Sequence, residues 1–273
     1  MQFGIGQSVL RKEDPKFLTG RGRYVSDLVL ARQTHAVFVY SPHAHAEVKS
    51  IDTAEAAAAP GVVAVLTGAD YAGDGMGPTG GVMPEDMGGP PGYRTMHMPM
   101  AIDRVRFVGE RVAVVIAESE AQARDAADLI VIDYAELPAI VMAEDAVKDG
   151  APLVYDEAAN NTSFTLRLGN ADETEAAFAR AHHVTTLHLH NNRLDAVTME
   201  PRGCLGDFDT SDGRLTFYTS TQNVHGIRQG LAAQNLNVPE SMIRVVAKDV
   251  GGGFGMKGHV YPEEAIVAWA CKR

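Results

Sequence analysis

In the first half of the chain the apolar positions fall into short runs separated by turn formers, not into long helical stripes. Residues 34–66 read as strand, short helix, strand. Thr34 to Tyr40 is rich in β-formers, Asp52 or Thr53 can cap the alanine run 54–59, and Pro60-Gly61 ends that run before the apolar strand Val62 to Leu66. Order returns at Phe107 after a stretch, 71–100, in which Gly, Pro and Met dominate and no period survives. Its methionines are soft copper ligands, although composition alone accounts for an ordinary excursion. Arg111 to Ala117 is an apolar strand, Ser119-x-x-Gln122 is a capping box opening a helix to about Asp128, and Leu129 to Tyr134 is a second strand. A strand–helix–strand unit on either side of a long loop predicts one α/β domain ending near residue 145, with Asp149-Gly150-Ala151-Pro152 as a linker.

The second half repeats a strand–loop–helix pattern. Arg214 to Thr219 alternates as a strand with Leu215 and Phe217 on one face. Ser220 or Thr221 is placed to cap a helix to about Leu236, buried through Val224, Ile227 and Leu231, and Val238-Pro239 stops it. Met242 to Lys248 is a further apolar strand, followed by a glycine loop at 251–258 and a helix from Pro262 with Glu263 and Glu264 in its first turn. Residues 265–271 are apolar nearly all round, the signature of a helix buried on every side. If the two strands are parallel neighbours, their carboxyl ends share one edge, and Gln222 and the glycine loop face the same crevice.

Composition changes this picture only by exclusion. The 273 residues, 45% hydrophobic and 22% charged, have room for two ordinary domains and do not suit a disordered chain. A net charge of -11 argues against a nucleic-acid partner, whose phosphates need a basic face. No signal-peptide core and no span of membrane length occurs, and Cys204 and Cys271 form no C-x-x-C pair, which together suit a reducing, cytoplasmic setting.

The chemistry concentrates in Val250-Gly251-Gly252-Gly253-Phe254-Gly255-Met256-Lys257-Gly258. Glycines there let the backbone approach a ligand with N–H groups turned outward, and a following helix N-terminus favours an anionic group. Met256 precedes Lys257 and Gly258 follows it, so this is not a P-loop; Gly253-x-Gly255-x-x-Gly258 matches the dinucleotide fingerprint only formally, leaving a nicotinamide-binding module or a plain structural turn as alternatives. His182, His183, His188 and His190 cluster, and a strand would set the last two on one face, as it would His43 and His45; surface or hydrogen-bonded histidines are the simpler reading over metal ligands. Glu200 and Arg202, in the turn-forming Met199 to Cys204, are expected to form an ordinary ion pair, and Cys204 to be inert packing.

In order along the chain stand Gly4-Ile5-Gly6-Gln7-Ser8, RKEDPKFLTGRGRY (11–24), Ser41-Pro42-His43-Ala44-His45-Ala46, PGVVAVLTG (60–68) and VRFVGERVAVVIAE (105–118). MEPRGCLGDFD (199–209), Ser220-Thr221-Gln222 and GGGFGMK (251–257) follow. With these the chain resembles the N-terminal part of the molybdenum-cofactor-binding large subunit of the xanthine dehydrogenase, aldehyde oxidase and carbon monoxide dehydrogenase family. The resemblance implies a mixed α/β and α+β architecture: an N-terminal segment 1–20, an a/b hammerhead domain 21–145, and the beginning of the first molybdopterin-binding domain, 146–273.

Gln222 matches the family glutamine that hydrogen-bonds a molybdenum oxygen ligand, and Gly252, Gly253, Phe254 and Gly255 match the loop whose backbone contacts the metal centre. Molybdenum is then held by the pterin, usually a molybdopterin dinucleotide, not by protein ligands, with Gln222 and Phe254 nearby. No catalytic residue is expected in this chain, since the family base is expected beyond Arg273. Gly258 stands where some relatives carry a glutamate, which leaves a purine-type pocket without support. The implied activity is oxidative hydroxylation with water-derived oxygen, with 2Fe-2S on an iron–sulfur small subunit and FAD on a medium subunit. The chain is then expected to contribute one wall of the site, as one half of a split large subunit needing a second chain or as a truncated, non-catalytic fragment.

Overall fold

The computed structural model describes Gly4, Gly6, residues 8–79, Tyr93 and residues 97–273; most of the methionine- and glycine-rich stretch read above as an excursion lies outside the described residues. The strands are β1 (His35–Tyr40), β2 (Ala46–Asp52), β3 (Val62–Thr67), β4 (Arg104–Val105), β5 (Arg111–Ala117), β6 (Val131–Glu136), β7 (Cys204–Asp209), β8 (Arg214–Thr219) and β9 (Ile243–Val246). The helices are α1 (Asp14–Leu18), α2 (Ala54–Ala57), α3 (Gly68–Gly73), α4 (Glu120–Ala127), α5 (Ala143–Ala146), α6 (Ala171–Arg180), α7 (Val224–Gly230) and α8 (Pro262–Ala270).

The first half forms two antiparallel sheets, ordered β1-β5-β3 and β4-β2-β6, rather than a parallel sheet with helical crossovers. β5 is central, and Val112 to Val115 are fully buried, which is why it reads as a continuous apolar run. β2 escapes a reading from pattern because AEVKSID is mostly polar; pairing with β4 and β6, not burial, makes it a strand. α4 is capped as its sequence predicts by the Ser119 hydroxyl accepting from the Gln122 N–H at 3.3 Å, but the Gln122 amide meets that hydroxyl at 2.7 Å instead of reaching back to the backbone.

In the second half β7 pairs antiparallel with β8, and β8 pairs in parallel with β9. The helix after β8 starts later than expected, with Asn223 as its cap, accepting from the Gly226 N–H at 2.9 Å. Ser220 and Thr221 do not serve as the cap: the Ser220 hydroxyl accepts from Lys257 and donates to Glu200, and the Thr221 hydroxyl donates to the Lys257 carbonyl and accepts from the N–H of the cap residue Asn223 at 3.1 Å. Beyond α7 the helix widens into a π turn, Leu231–Asn235, in which the Leu236 N–H donates back to the Leu231 carbonyl at 2.8 Å. The Asn235 amide donates to the Pro78 carbonyl at 2.9 Å, which ties this irregular turn to the first half.

One hydrophobic core crosses between the halves, uniting Leu66, Tyr71, Met100 and Val114 with Phe217, Ile227, Leu231, Ile266 and Trp269. At its edge Tyr71 meets Trp269 edge-on at 5.0 Å, and the Trp269 indole N–H donates to Asp74 at 2.8 Å. Arg111 and Glu263 form a largely buried ion pair at 2.9 Å across the same boundary. α8 is buried through Ala265, Ile266, Ala268 and Trp269, while Val267 and Ala270 stay half-buried, so the all-round burial read from its sequence is incomplete here. Residues 162–197 depart from this body: apart from α6 they carry no helix or strand, and nearly all are exposed. His188 and His190 therefore do not sit in a strand in this structure, and His182, His183, His188 and His190 are all exposed.

Candidate functional site

Because β8 and β9 run parallel, the segments leaving them, Ser220 to Gln222 and the glycine loop, emerge at one edge. There they are stitched together. The Gln222 N–H and the Thr221 hydroxyl both donate to the Lys257 carbonyl, at 2.9 and 2.8 Å. The Gln222 side chain then accepts from the N–H groups of Gly255 and Lys257, at 2.9 and 3.3 Å. Only the oxygen of an amide can accept, which fixes its orientation and leaves Nε2 as a donor with no partner among the described residues. A Cβ on Gly253 would land 2.5 Å from Gln222 Oε1, so glycine is needed there for the side chain to lie against the loop.

The loop backbone is unusual. Gly252 and Gly255 have φ of 98° and 89°, and Phe254 between them has φ 50°, a left-handed conformation costing a non-glycine residue about 1 kcal/mol or more. Phe254 is 80% exposed, so its own packing does not compensate that strain. The N–H groups of Gly252, Gly253 and Phe254 donate to no described residue. The edge thus offers a free amide donor and uncommitted backbone donors, a set suited to the oxygen atoms of an anionic cofactor. One expected contribution is weakened: Glu263 and Glu264 stand in the first turn of α8, and the Glu264 carboxylate takes the Tyr261 N–H at 2.9 Å, so this helix N-terminus already carries its own negative charge. Three residues also separate Gly258 from α8, whereas a dinucleotide fingerprint opens directly into its helix.

Beneath the loop lies a polar support that pattern reading missed. Lys257 is 2% exposed, and its ammonium donates to the Ser220 hydroxyl at 2.7 Å, the Glu200 carbonyl at 2.8 Å and Glu200 Oε2 at 3.2 Å. The same Glu200 oxygen accepts from Ser220 at 2.6 Å and from the Gly251 N–H at 2.8 Å. Burial works to raise the Glu200 pKa, but the hydrogen bonds from Ser220, Gly251 and Lys257, with the Lys257 charge, outweigh it and hold the carboxyl below its ordinary range. The expected Glu200–Arg202 pair does not form. Arg202 instead lies 3.6 Å over the Tyr261 ring, because its charge is turned toward α8 while Glu200 is drawn under the loop. A lysine amid glycines was the available signal, but its burial depends on partners 37 and 57 residues away.

The other candidates are structural in this setting. His45 bonds the Pro138 carbonyl at 2.9 Å through Nδ1, and His43 lies 3.4 Å from Glu136 with its ring against Tyr134. Burial pushes the Cys204 thiol well above its ordinary pKa and that of Cys271 up to about 12, so neither is a thiolate at neutral pH. Among the described residues no group of three or more His, Cys, Asp or Glu is arranged to hold a metal ion, and no helix is long and apolar enough to cross a membrane.

Comparison with known proteins assigns this fold. Residues 19–138 match the aldehyde oxidase and xanthine dehydrogenase a/b hammerhead domain, and residues 154–273 match the molybdopterin cofactor-binding domain. The chain belongs to the family of molybdenum-cofactor-binding large subunits of the xanthine dehydrogenase, aldehyde oxidase and carbon monoxide dehydrogenase type, and corresponds to their N-terminal part. It is 39% identical to the nicotine 6-hydroxylase large subunit of Paenarthrobacter nicotinovorans, over 98% of this chain and 32% of that protein. The carbon monoxide dehydrogenase large chain of Hydrogenophaga pseudoflava is 32% identical, over 95% of this chain and 32% of its own length. Among solved structures, quinoline 2-oxidoreductase from Pseudomonas putida 86 superposes with a TM-score of 0.86 at 38% identity, covering 98% of this chain and 33% of that one. The chain therefore spans about a third of the length of the relatives it matches.

Proposed function

We propose that this chain is part of a molybdenum hydroxylase and furnishes one wall of its molybdopterin site through Gln222, Gly252, Gly253, Phe254 and Gly255. The observation that carries the reading is the Gln222 side chain, whose oxygen is fixed by two loop N–H groups while its nitrogen is left free to donate. When bound, the cofactor supplies oxidative hydroxylation of an aldehyde, N-heterocycle or similar small substrate with water-derived oxygen. The residues of this chain bind and orient it. The loop backbone donors hold its oxygen atoms, the Gln222 amide donates to one of them, and Glu200 with Lys257 keeps the loop in shape from below. The carboxylate base that would activate the water-derived oxygen is expected from polypeptide beyond Arg273.

The same reading gives the pterin as a dinucleotide, an iron–sulfur small subunit carrying 2Fe-2S and an FAD-binding medium subunit as partners, and a cytoplasmic setting. It divides the chain into a segment 1–20, a hammerhead unit 21–145 and a cofactor-binding part 146–273, which needs the remainder of a large subunit for turnover. The test is elemental analysis for molybdenum after gentle purification from the native host with companions retained. Near-stoichiometric metal is expected in the unmodified protein, together with its loss in Gly253→Val, whose side chain would displace Gln222. A metal-free protein that has kept its companions overturns the proposal. Full metal retention by Gly253→Val removes the loop from the site.

A further inference from the structure

Residues 163–190 have the organisation of a strand–helix–strand unit with no sheet to belong to. Ser163 to Leu168 alternates strictly, with Phe164, Leu166 and Leu168 on one side and Ser163, Thr165 and Arg167 on the other. In Val184 to His190, Leu187 and Leu189 share a face opposite His188 and His190. Both runs pair with no strand here, and Leu168 and Leu189 are 85% and 82% exposed. Between them α6 has no buried residue, although Thr174, Ala177, Phe178 and Ala181 form one helical face. That face lines an open groove of about 490 Å³. A period-2 apolar pattern on both strands and a 3.6-period face on the intervening helix together specify a layer that is absent, namely a sheet against which all three pack.

We propose that the 163–190 unit docks edge-on and face-on to a β-sheet carried by the remaining two thirds of a large subunit. The length argues for that occupant, since this chain accounts for only 32–34% of relatives whose fold it otherwise shares. Position argues for it too. The segment runs on to Thr198 and Glu200, and the Glu200 N–H donates to the Gly251 carbonyl at 3.2 Å, which ties its C-terminal continuation to the glycine loop. Leu194, Val197, Met199 and Phe254 are likewise exposed. Docking would pair the free strand edges and cover the apolar faces in one step.

Hydrogen exchange read by mass spectrometry tests this, comparing the isolated 273-residue chain with the large subunit in the form its host accumulates. In the isolated chain the amides of 163–168 and 184–190 should exchange freely, and in the host material they should slow by roughly 100-fold or more. β5 should be protected in both and serves as the internal standard. Leu168→Lys combined with Leu189→Lys should abolish the added protection in host material yet leave the melting temperature of the isolated chain unchanged, since these side chains are 85% and 82% exposed there. Equal, fast exchange in both preparations overturns the proposal. So does slow exchange in the isolated chain, whether it reflects self-association or internal pairing, and so does a lowered melting temperature of the isolated variant. Protection without molybdenum leaves this surface standing and removes the site reading above; molybdenum with both segments unprotected does the reverse.

Discussion

Replacing Lys257 with methionine removes the cation under the glycine loop while keeping the length and apolar stem of the side chain. Three hydrogen bonds disappear, to Ser220 Oγ, the Glu200 carbonyl and Glu200 Oε2, and Glu200 loses its counter-charge. Breaking a buried pair by deleting one partner costs about 3–5 kcal/mol. Glu200 keeps the Ser220 hydroxyl and the Gly251 N–H, and its side chain retains 11% exposure, which puts the expected loss at the lower end, about 3 kcal/mol. That is roughly a 150-fold shift in the folding equilibrium. The assay is urea unfolding at pH 7 followed by Trp269 fluorescence, since the chain has one tryptophan and it lies in the core that α8 shares with β8. In a cycle with Glu200→Gln, the double variant should lose less than the sum of the singles by about 1 kcal/mol or more. A Lys257→Met loss below about 1 kcal/mol, or additivity within about 0.5 kcal/mol, would refute the claim that this pair shapes the loop. The acid limb adds a check. The folded Glu200 pKa is depressed, so its contribution is complete above the unfolded pKa and fades as pH falls through the folded value; the stability of Glu200→Gln should lack that slope.

Glu264 has the opposite sign. Burial raises its folded pKa, so ionisation opposes folding at neutral pH, and on acidification from pH 7 toward 4 the native chain should gain stability relative to Glu264→Gln, as read by denaturant midpoints. Trp269→Phe keeps the ring against Tyr71 but deletes the donor to Asp74, and should lower stability by about 1 kcal/mol in thermal unfolding followed by circular dichroism. Gly77→Ala should cost more, because its Cβ would overlap the Gln234 carbonyl where the two halves meet; an unchanged melting temperature would mean that this contact is not maintained in solution. Gln222→Ala should keep the fold, with a loss below about 2 kcal/mol, while molybdenum content or reconstituted activity falls; unfolding would make the residue structural.

What sequence pattern revealed, and what it hid, follows from the range of the interactions involved. β1, β3, β5, β6, β8, β9, α4 and α8 were legible because each carries its own local period or cap. β2 was not, since its strand character comes from β4 and β6, nor was the antiparallel order of the first half. The convergence of Gln222 with the loop was legible because it needs only the parallel pairing of β8 with β9, which the structure contains. Its support was hidden. Glu200 looked equally suited to Arg202 two residues away, and the preference for Lys257 is decided by a burial that arises only when β7, β8 and the loop come together. The Asn223 cap was missed for a related reason, since Ser220 and Thr221 are better placed by sequence but are taken by long-range partners.

These long-range partners bear on how the site is held. Both faces of the glycine loop are fixed by groups from elsewhere in the second half, Gln222 above and Glu200 below, and α8 behind it is fixed to the first half through Arg111–Glu263 and Trp269–Asp74. The strained Phe254 is therefore maintained by a frame that extends across the whole folded body, and loosening the boundary between the halves should relax the loop before it unfolds the sheets. The hammerhead unit then has a physical role at the glycine loop, through α8 and through Arg23, whose carbonyl accepts from the Asp249 N–H at 3.0 Å just before the loop. It braces α8, α8 with Tyr261 braces Met256 and Arg202, and the loop between them keeps its backbone donors turned outward.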